Sequence, residues 1–265
     1  MIYLFKTHYS IAKGVIQANE SKGSTNISGV PNLVDICLRN NIKKCFVVDD
    51  SMAGIWPIYK TLNAHNIPLT FGLRMNFVSD ANDKSEFGNI SIHKNIIFIK
   101  NEIGYKNLVK ISTKAHVDFH HTKPRIDYEY YHSIASKGGE DSGLTLSVPF
   151  YDSFLYNNKL TQNQCVPDFR SLKPAMFVED NNLPIDGPLQ RVVEKYAMEN
   201  GLERVKAQTV YYEKKSDAFK YFARRCMSRR NGQQRTMEKP ELPGFGSDGF
   251  CLSGLEGVEN KSNNE

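Results

Sequence analysis

The sequence carries little sulfur chemistry and no long apolar run. Its five cysteines (Cys37, Cys45, Cys165, Cys226, Cys251) are odd in number and include no Cys-x-x-Cys pair. This argues against a disulfide scaffold and a cysteine-based zinc site, and predicts reduced thiols in a cytoplasmic protein. No stretch approaches the roughly 18 apolar residues of a membrane-spanning helix. The opening MIYLFKTHYS lacks the apolar core and small-residue cleavage site of a secretion signal. There is one tryptophan, Trp56, next to Pro57, and it is expected to be a packing residue. Walker A, G-x-G-x-x-G, G-x-S-x-G and H-E-x-x-H motifs are all missing. Phosphate-loop, dinucleotide, serine-hydrolase and zincin chemistry therefore have no local support.

What remains is the composition of a folded domain. The chain has 265 residues, 40% of them apolar, with 15 Phe and 13 Tyr, enough for a sizeable core. Net charge is only +5, but it is unevenly spread. From Glu203 to Lys239 there are eleven Lys and Arg against four acids, while the rest of the chain has 23 against 25. A basic C-terminal quarter follows a near-neutral body.

Periodicity gives alternating strands and helices. Met1–Lys6, Lys44–Val48, Leu69–Phe77, Ile96–Ile99, Leu144–Val148, Ala175–Val178 and Lys206–Tyr212 are β-branched or aromatic runs expected as strands. Helices are predicted from Pro31 to the Asn40–Asn41 stop, and over Gly54–Ala64, Asn107–Ile111, Asp127–Ala135, Leu189–Glu199 and Ser216–Met227. A tight turn is expected at Ile103–Gly104, a loop over Asn19–Gly29, and irregular chain from Pro240 onward. The rhythm predicts an α/β fold with a parallel or mixed sheet. In the last helix, Phe219, Phe222 and Cys226 or Met227 are expected in the core. Arg224, Arg225, Arg229 and Arg230, four Arg in seven residues, are expected to form a nucleic-acid-binding stripe. His116, Asp118, His120 and His121 have alternating spacing that would suit a metal on an extended segment, but no carboxylate-rich partner strand accompanies them. They are expected to be a polar loop.

Several motifs then fall into one order. HYS at His8–Ser10, with Gly14, follows the first strand. FVVDD leads into MAGIWPIYK (Met52–Lys60) and NIPLTFGLRM (Asn66–Met75). IIFIKNEIGYKNLVKIST spans Ile96–Thr113, PRID spans Pro124–Asp127, and the helix–strand–helix order from Leu189 to Gly232 closes the series. Together these stretches resemble the PHP domain at the N-terminus of bacterial C-family replicative polymerases, the DNA polymerase III alpha subunit. The resemblance runs from about Tyr3 to about Gly254. It implies a distorted β/α barrel of PHP type, with a basic C-terminal helix and an irregular tail. Residues 1–254 would be the PHP-like domain and 255–265 a disordered tail. It also implies a metal cluster for phosphoester hydrolysis at the C-terminal ends of the strands, held by His, Asp, Glu and Cys ligands.

The departures fall on those ligands. Leu4 and Lys6 stand where the family has His-x-His, with His8 two residues on. Asp49–Asp50 replaces Asp-His, and Arg74 replaces a glutamate. Ser147–Val148–Pro149 lacks the thiol, Thr209 and Tyr211 replace Asp-x-His, and Lys94–Asn95 precedes the IIFI strand beside His93. Lys6 and Arg74 would place cations where divalent ions belong, and are expected to pair with Asp49 and Asp50. Lys6, His8, Asp49, Asp50 and Arg74 are thus expected to form a degenerate metal pocket with no catalytic residue, metal or cofactor. The expected function is binding in DNA replication, as a scaffold or DNA/protein-binding module whose partner is DNA or a replicative polymerase or exonuclease subunit. No palm, thumb or fingers are visible, so polymerisation by this chain alone is not expected. The alternatives are a metal-dependent phosphoesterase or 3′–5′ exonuclease using a rearranged set such as His8, Asp49, Asp50 and His93, and a protein-interaction module unrelated to nucleic acid.

Overall fold

A computed structural model describes residues 1–10, 14–18, 32–135, 141–170, 172–227 and 247–252. The expected loop at 19–29, Arg229, Arg230, the stretch 240–246 and the boundary and tail from 254 onward lie outside the described residues. In chain order the strands are β1 (Ile2–Phe5), β2 (Cys45–Asp49), β3 (Leu69–Val78), β4 (His93–Ile99), β5 (Ile126–Asp127), β6 (Leu144–Val148), β7 (Ala175–Val178) and β8 (Arg204–Val210). The helices are α1 (Leu33–Arg39), α2 (Ile55–Ala64), α3 (Glu86–Ile90), α4 (Glu102–Val117), α5 (Tyr128–Ala135), α6 (Phe154–Leu160), α7 (Asp186–Glu199) and α8 (Ala218–Met227). No helix among the described residues is long and apolar enough to cross a membrane.

The strands form one sheet in the order β2-β1-β8-β7-β6-β4-β3-β5, and β2 also pairs with β3. That extra pairing closes the strands from β2 round to β3 into a ring, with β5 appended: an α/β barrel. β1 pairs in parallel with β2 and β8, β7 with β6 and β8, and β3 with β5, whereas β4 runs antiparallel to both β3 and β6. The all-apolar run in β2 fits a strand buried on both faces, as parallel pairing requires.

Two compact units share the chain. The first comprises Met1–Phe71, Glu179–Asp186 and Ala207–Glu265. Its core includes Leu4, Phe5, Val47, Ile58, Leu62 and Tyr221. α1 starts on Asn32, whose side chain accepts from Val34 N, and stops at Asn40, with Asn41 in the left-handed region at φ 50°. The Asn40–Asn41 stop is thus where the sequence puts it. Ile58 and Leu62 form the inner face of α2. Trp56, expected to pack, is 64% exposed, because the inner face needs only the i, i+4 pair. Tyr59 is exposed as well. On α8 the buried ring is Tyr221, stacked on Tyr211 at 4.6 Å, and this turns Phe219 out to 67% exposure. The expectation of Phe219 in the core is corrected accordingly.

The second unit comprises Gly72–Val178 and Gly187–Lys206. Its core includes Phe77, Ile97, Leu108, Ile111, Leu146 and Leu189. The observed bounds of β6 and β7 are those predicted. Ile103–Gly104 is not a turn: it is the first turn of α4, because Asn101 caps the helix and accepts from Gly104 N at 2.9 Å. Gly104 permits close backbone approach there, since a Cβ at this position would overlap the carbonyl of Gly143. Gly143 itself sits at φ 69°. α7 ends as predicted at Gly201, φ 61°.

Candidate functional site

In the first unit, parallel pairing of β1 with β2 and β8 brings the C-terminal ends of these strands side by side. Leu4 faces Phe46 on one side and Thr209 on the other. The chain leaving β1 delivers Lys6, Thr7, His8 and Ser10, and the end of β2 delivers Asp49 and Asp50. Lys6 and Asp49 are 3% and 0% exposed, so every polar atom on them needs a partner.

Those partners come from the protein. Asp49 accepts from Thr7 N at 3.0 Å on Oδ1 and from Thr7 Oγ1 at 2.7 Å on Oδ2. Burial nonetheless pushes the Asp49 carboxyl above the ordinary carboxylate range, opposed by the Lys6 ammonium and by hydrogen bonds from Thr7 and Ser10. Asp50 Oδ2 lies 3.5 Å from Lys6 Nζ and accepts from Ser10 Oγ at 3.3 Å, while Asp50 N donates to Ser10 Oγ at 3.1 Å. The expected pairing of Lys6 with the acidic pair is therefore present at Asp50.

A third carboxylate, missed in the sequence reading, lies just past β7. Glu179 is buried and accepts from Thr209 N at 2.8 Å, Thr209 Oγ1 at 2.9 Å and Asn181 Nδ2 at 3.0 Å. The available signal was the acidic pair Glu179–Asp180 closing the apolar run AMFV.

His8 is half-buried. Its Nδ1 accepts from Ala18 N at 3.3 Å. Burial lowers its pKa, helped by the nearby Arg224 guanidinium and opposed by a backbone hydrogen bond at Ile16 and by Asp49. Arg224 reaches the His8 carbonyl at 3.4 Å. Arg225 donates to the Tyr221 hydroxyl at 3.0 Å and lies over that ring. Of the four predicted stripe residues, only these two are among the described residues.

Arg74 belongs to the second unit. Its guanidinium donates to the Tyr151 carbonyl and to Asp152 Oδ2, both at 2.8 Å, and so ties down the loop after β6. In the same unit His93 is 1% exposed and has both ring nitrogens engaged, Nδ1 with Ser91 O at 3.0 Å and Nε2 with Tyr128 Oη at 2.7 Å. A carbonyl can only accept, so Nδ1 carries the proton and Nε2 accepts from the tyrosine. Burial pushes the His93 pKa down to about 4. His116 lies on α4 with Nδ1 bonded to Ser112 O at 2.7 Å, and Asp118 caps that helix, paired with Lys114. These residues share no extended face, and His120 and His121 follow in the loop. Among the described residues no three His, Cys, Asp or Glu side chains are grouped to hold a metal ion.

Residues 24–148 match the family model for the PHP domain. Over those residues the chain is similar to a PHP domain. Two relatives are similar over a greater length of the chain. One is the DNA polymerase III subunit alpha of Aquifex aeolicus (strain VF5), 26% identical over 183 residues, covering 64% of this chain and 15% of the relative. The other is the DNA polymerase III subunit alpha of Treponema pallidum (strain Nichols), 24% identical over 218 residues, covering 78% of this chain and 18% of the relative. The chain thus spans less than a fifth of the length of either relative. The barrel with one reversed strand is the architecture that the PHP resemblance leads one to expect. The strand ends where the PHP resemblance puts metal ligands are those occupied here by Lys6, Asp49, Asp50, Thr209 and Tyr211 in the first unit and by Arg74 in the second.

Proposed function

We propose that this PHP domain has exchanged metal chemistry for a packed polar network and acts by binding, as a cytoplasmic scaffold or DNA/protein-binding module of the replication machinery. The observation that carries this reading is the Lys6 ammonium 3.5 Å from Asp50. A divalent cation bound by that oxygen would stand within about 6 Å of the ammonium, a repulsion of several kcal/mol at an effective dielectric near 20. The remaining donor set is no better suited. Asp49 already accepts from Thr7 on both oxygens, and Arg74 is a fixed cation bound to Asp152. These residues do not fit a divalent metal cluster, which needs several deprotonated nitrogen and oxygen ligands converging on one point. The rearranged set that includes His93 is weakened because neither nitrogen of that ring is spare.

DNA or a replicative polymerase or exonuclease subunit is the partner this reading assigns. The similarity to polymerase alpha subunits and the basic segment around Arg224 and Arg225 support it; Arg229 and Arg230 extend that segment in sequence. The test has two arms. Purified protein incubated with manganese or zinc and then desalted should hold far less than one equivalent of metal, and should show no more phosphodiesterase or 3′–5′ exonuclease turnover than its Asp49→Ala variant. Stoichiometric metal together with turnover abolished by Asp49→Ala would establish the enzyme instead. In the second arm, fluorescence anisotropy with labelled DNA should show salt-dependent binding. Changing Arg224, Arg225, Arg229 and Arg230 to Ala should weaken it at least tenfold and flatten the salt slope.

A further inference from the structure

Trp56 and Tyr59 stand one turn apart on the outer side of α2, 64% and 47% exposed. Their ring centroids are 5.9 Å apart with an interplanar angle of 27°. The core does not need them, since Ile58 and Leu62 fill the inner face of that helix. The other exposed residues of this stretch are Ala53, Lys60, Asn63 and Ala64, with Met52, Ile55 and Pro57 half-buried, so the large apolar groups fully exposed here are the two flat rings. A protein-docking patch would be expected to extend into further aliphatic side chains. Already stacked on each other, the rings have little rotamer freedom left to lose when a third flat group joins them.

Along the chain, the charge flanking the rings has one sign. Between Ser51 and Ser79 the sequence has no Asp or Glu. Lys60 is exposed beside Tyr59, and Lys43 and Lys44 are exposed ahead of β2. The nearest acids in sequence, Asp49 and Asp50, are held by Thr7 and by Lys6.

We propose that Trp56 and Tyr59 form a stacking surface for the unpaired bases of a single-stranded nucleic acid, with Lys60 serving the phosphate backbone. The assignment rests on the binding role proposed above and sharpens it from DNA in general to unpaired bases. Base–aromatic stacking tolerates any sequence, because every base offers a π face, whereas a duplex keeps its faces closed.

Because Trp56 is the sole tryptophan, indole emission excited at the red edge, where tyrosine does not absorb, reports this position alone. Titration with oligothymidylate at low salt should quench the indole emission, saturating at the concentration at which anisotropy of the labelled oligonucleotide saturates. A duplex of the same length should quench much less. Trp56→Ala and Tyr59→Ala should each weaken oligothymidylate binding about tenfold, and Trp56→Phe should retain most of the affinity. Both side chains are solvent-exposed, so circular dichroism of the variants should match the parent. Oligonucleotide binding by anisotropy with unchanged indole emission and unchanged affinity in Trp56→Ala would overturn the stacking surface while leaving the DNA-binding reading standing. No oligonucleotide binding at low salt by either signal would overturn both. Quenching by a polymerase subunit but not by the oligonucleotide would assign the rings to a protein partner and overturn the proposal.

Discussion

Lys6 Nζ lies 3.5 Å from Asp50 Oδ2 where the chain leaves β1, with the lysine side chain 3% and the aspartate side chain 14% exposed. The ammonium thereby replaces from within the positive charge that two neighbouring carboxylates require. Removing it strands those carboxylates in a poorly solvated place. Lys6→Met is expected to lower stability by about 3 kcal/mol, read from urea unfolding. The double variant with Asp50→Leu should recover at least half of that loss. A neutral Lys6→Met would show that the pair has no structural role.

Thr7 holds Asp49 through its backbone N–H and its hydroxyl. Thr7→Val keeps the shape and removes the hydroxyl. It should cost about 2 kcal/mol at neutral pH, the usual worth of a hydrogen bond to a charged group. The loss should shrink in acid, where Asp49 is protonated. Burial raises the Asp49 pKa above the ordinary 3.8, so the folded state holds this proton at pH values where the unfolded chain has released it. The Asp49 contribution to stability therefore declines as pH rises from 3.8 through the folded pKa and is constant above it. Unfolding curves of parent and variant across that window check the sign.

His93 contributes in the opposite direction. Its pKa falls from 6.5 to about 4, because the buried ring is neutral and accepts from Tyr128. Unfolded chain takes up the proton near 6.5 while the folded state refuses it until about 4. Stability is thus fully present above 6.5 and is lost as pH falls toward 4, by up to about 3 kcal/mol. His93→Gln, less stable at neutral pH, should lack that part of the pH slope. An NMR signal of His93 that titrates near 6.5 would contradict this account.

Gly104, in the GYKNL motif, lies against the backbone of Gly143. Gly104→Ala drives a methyl group into a carbonyl that has no side chain to swing aside, and should destabilise by about 2 to 3 kcal/mol, seen as a lower Tm. Lys106→Ala, exposed on the same helix, should change Tm little.

The elements that were legible in the sequence are those set by local chemistry. β6 and β7 are short apolar runs with polar neighbours, and the ends of α1 and α7 are fixed by Asn and Gly in left-handed geometry. The misreadings come from tertiary choices. Phe219 and Tyr221 are both aromatic on α8, and only the stacking of Tyr221 on Tyr211 decides which is buried. Ile103–Gly104 looks like a turn until Asn101 is recognised as a cap and Gly143 as the reason for the glycine. At the site, Lys6, Asp49 and Asp50 were visible because family motifs pointed at their positions. Thr7, Ser10 and Glu179 were not, since donors to a carboxylate carry no fixed spacing, and Glu179 is 129 positions after Asp50.

The direction of β4 has a consequence for which loops matter. Its neighbours β3 and β6 run the other way, so His93 at its start pairs with Phe77 near the finish of β3, and Ile96 pairs with Ser147 near the finish of β6. Elsewhere in the ring, chain departing from a strand shapes the end that bears chemistry in barrels of this kind. At β4 it is the approach, Asn89–Ile92, that arrives there, and the departure through Lys100 and Asn101 decorates the far side. Insertions tolerated after the other strands would, at this one strand, have to be tolerated before it.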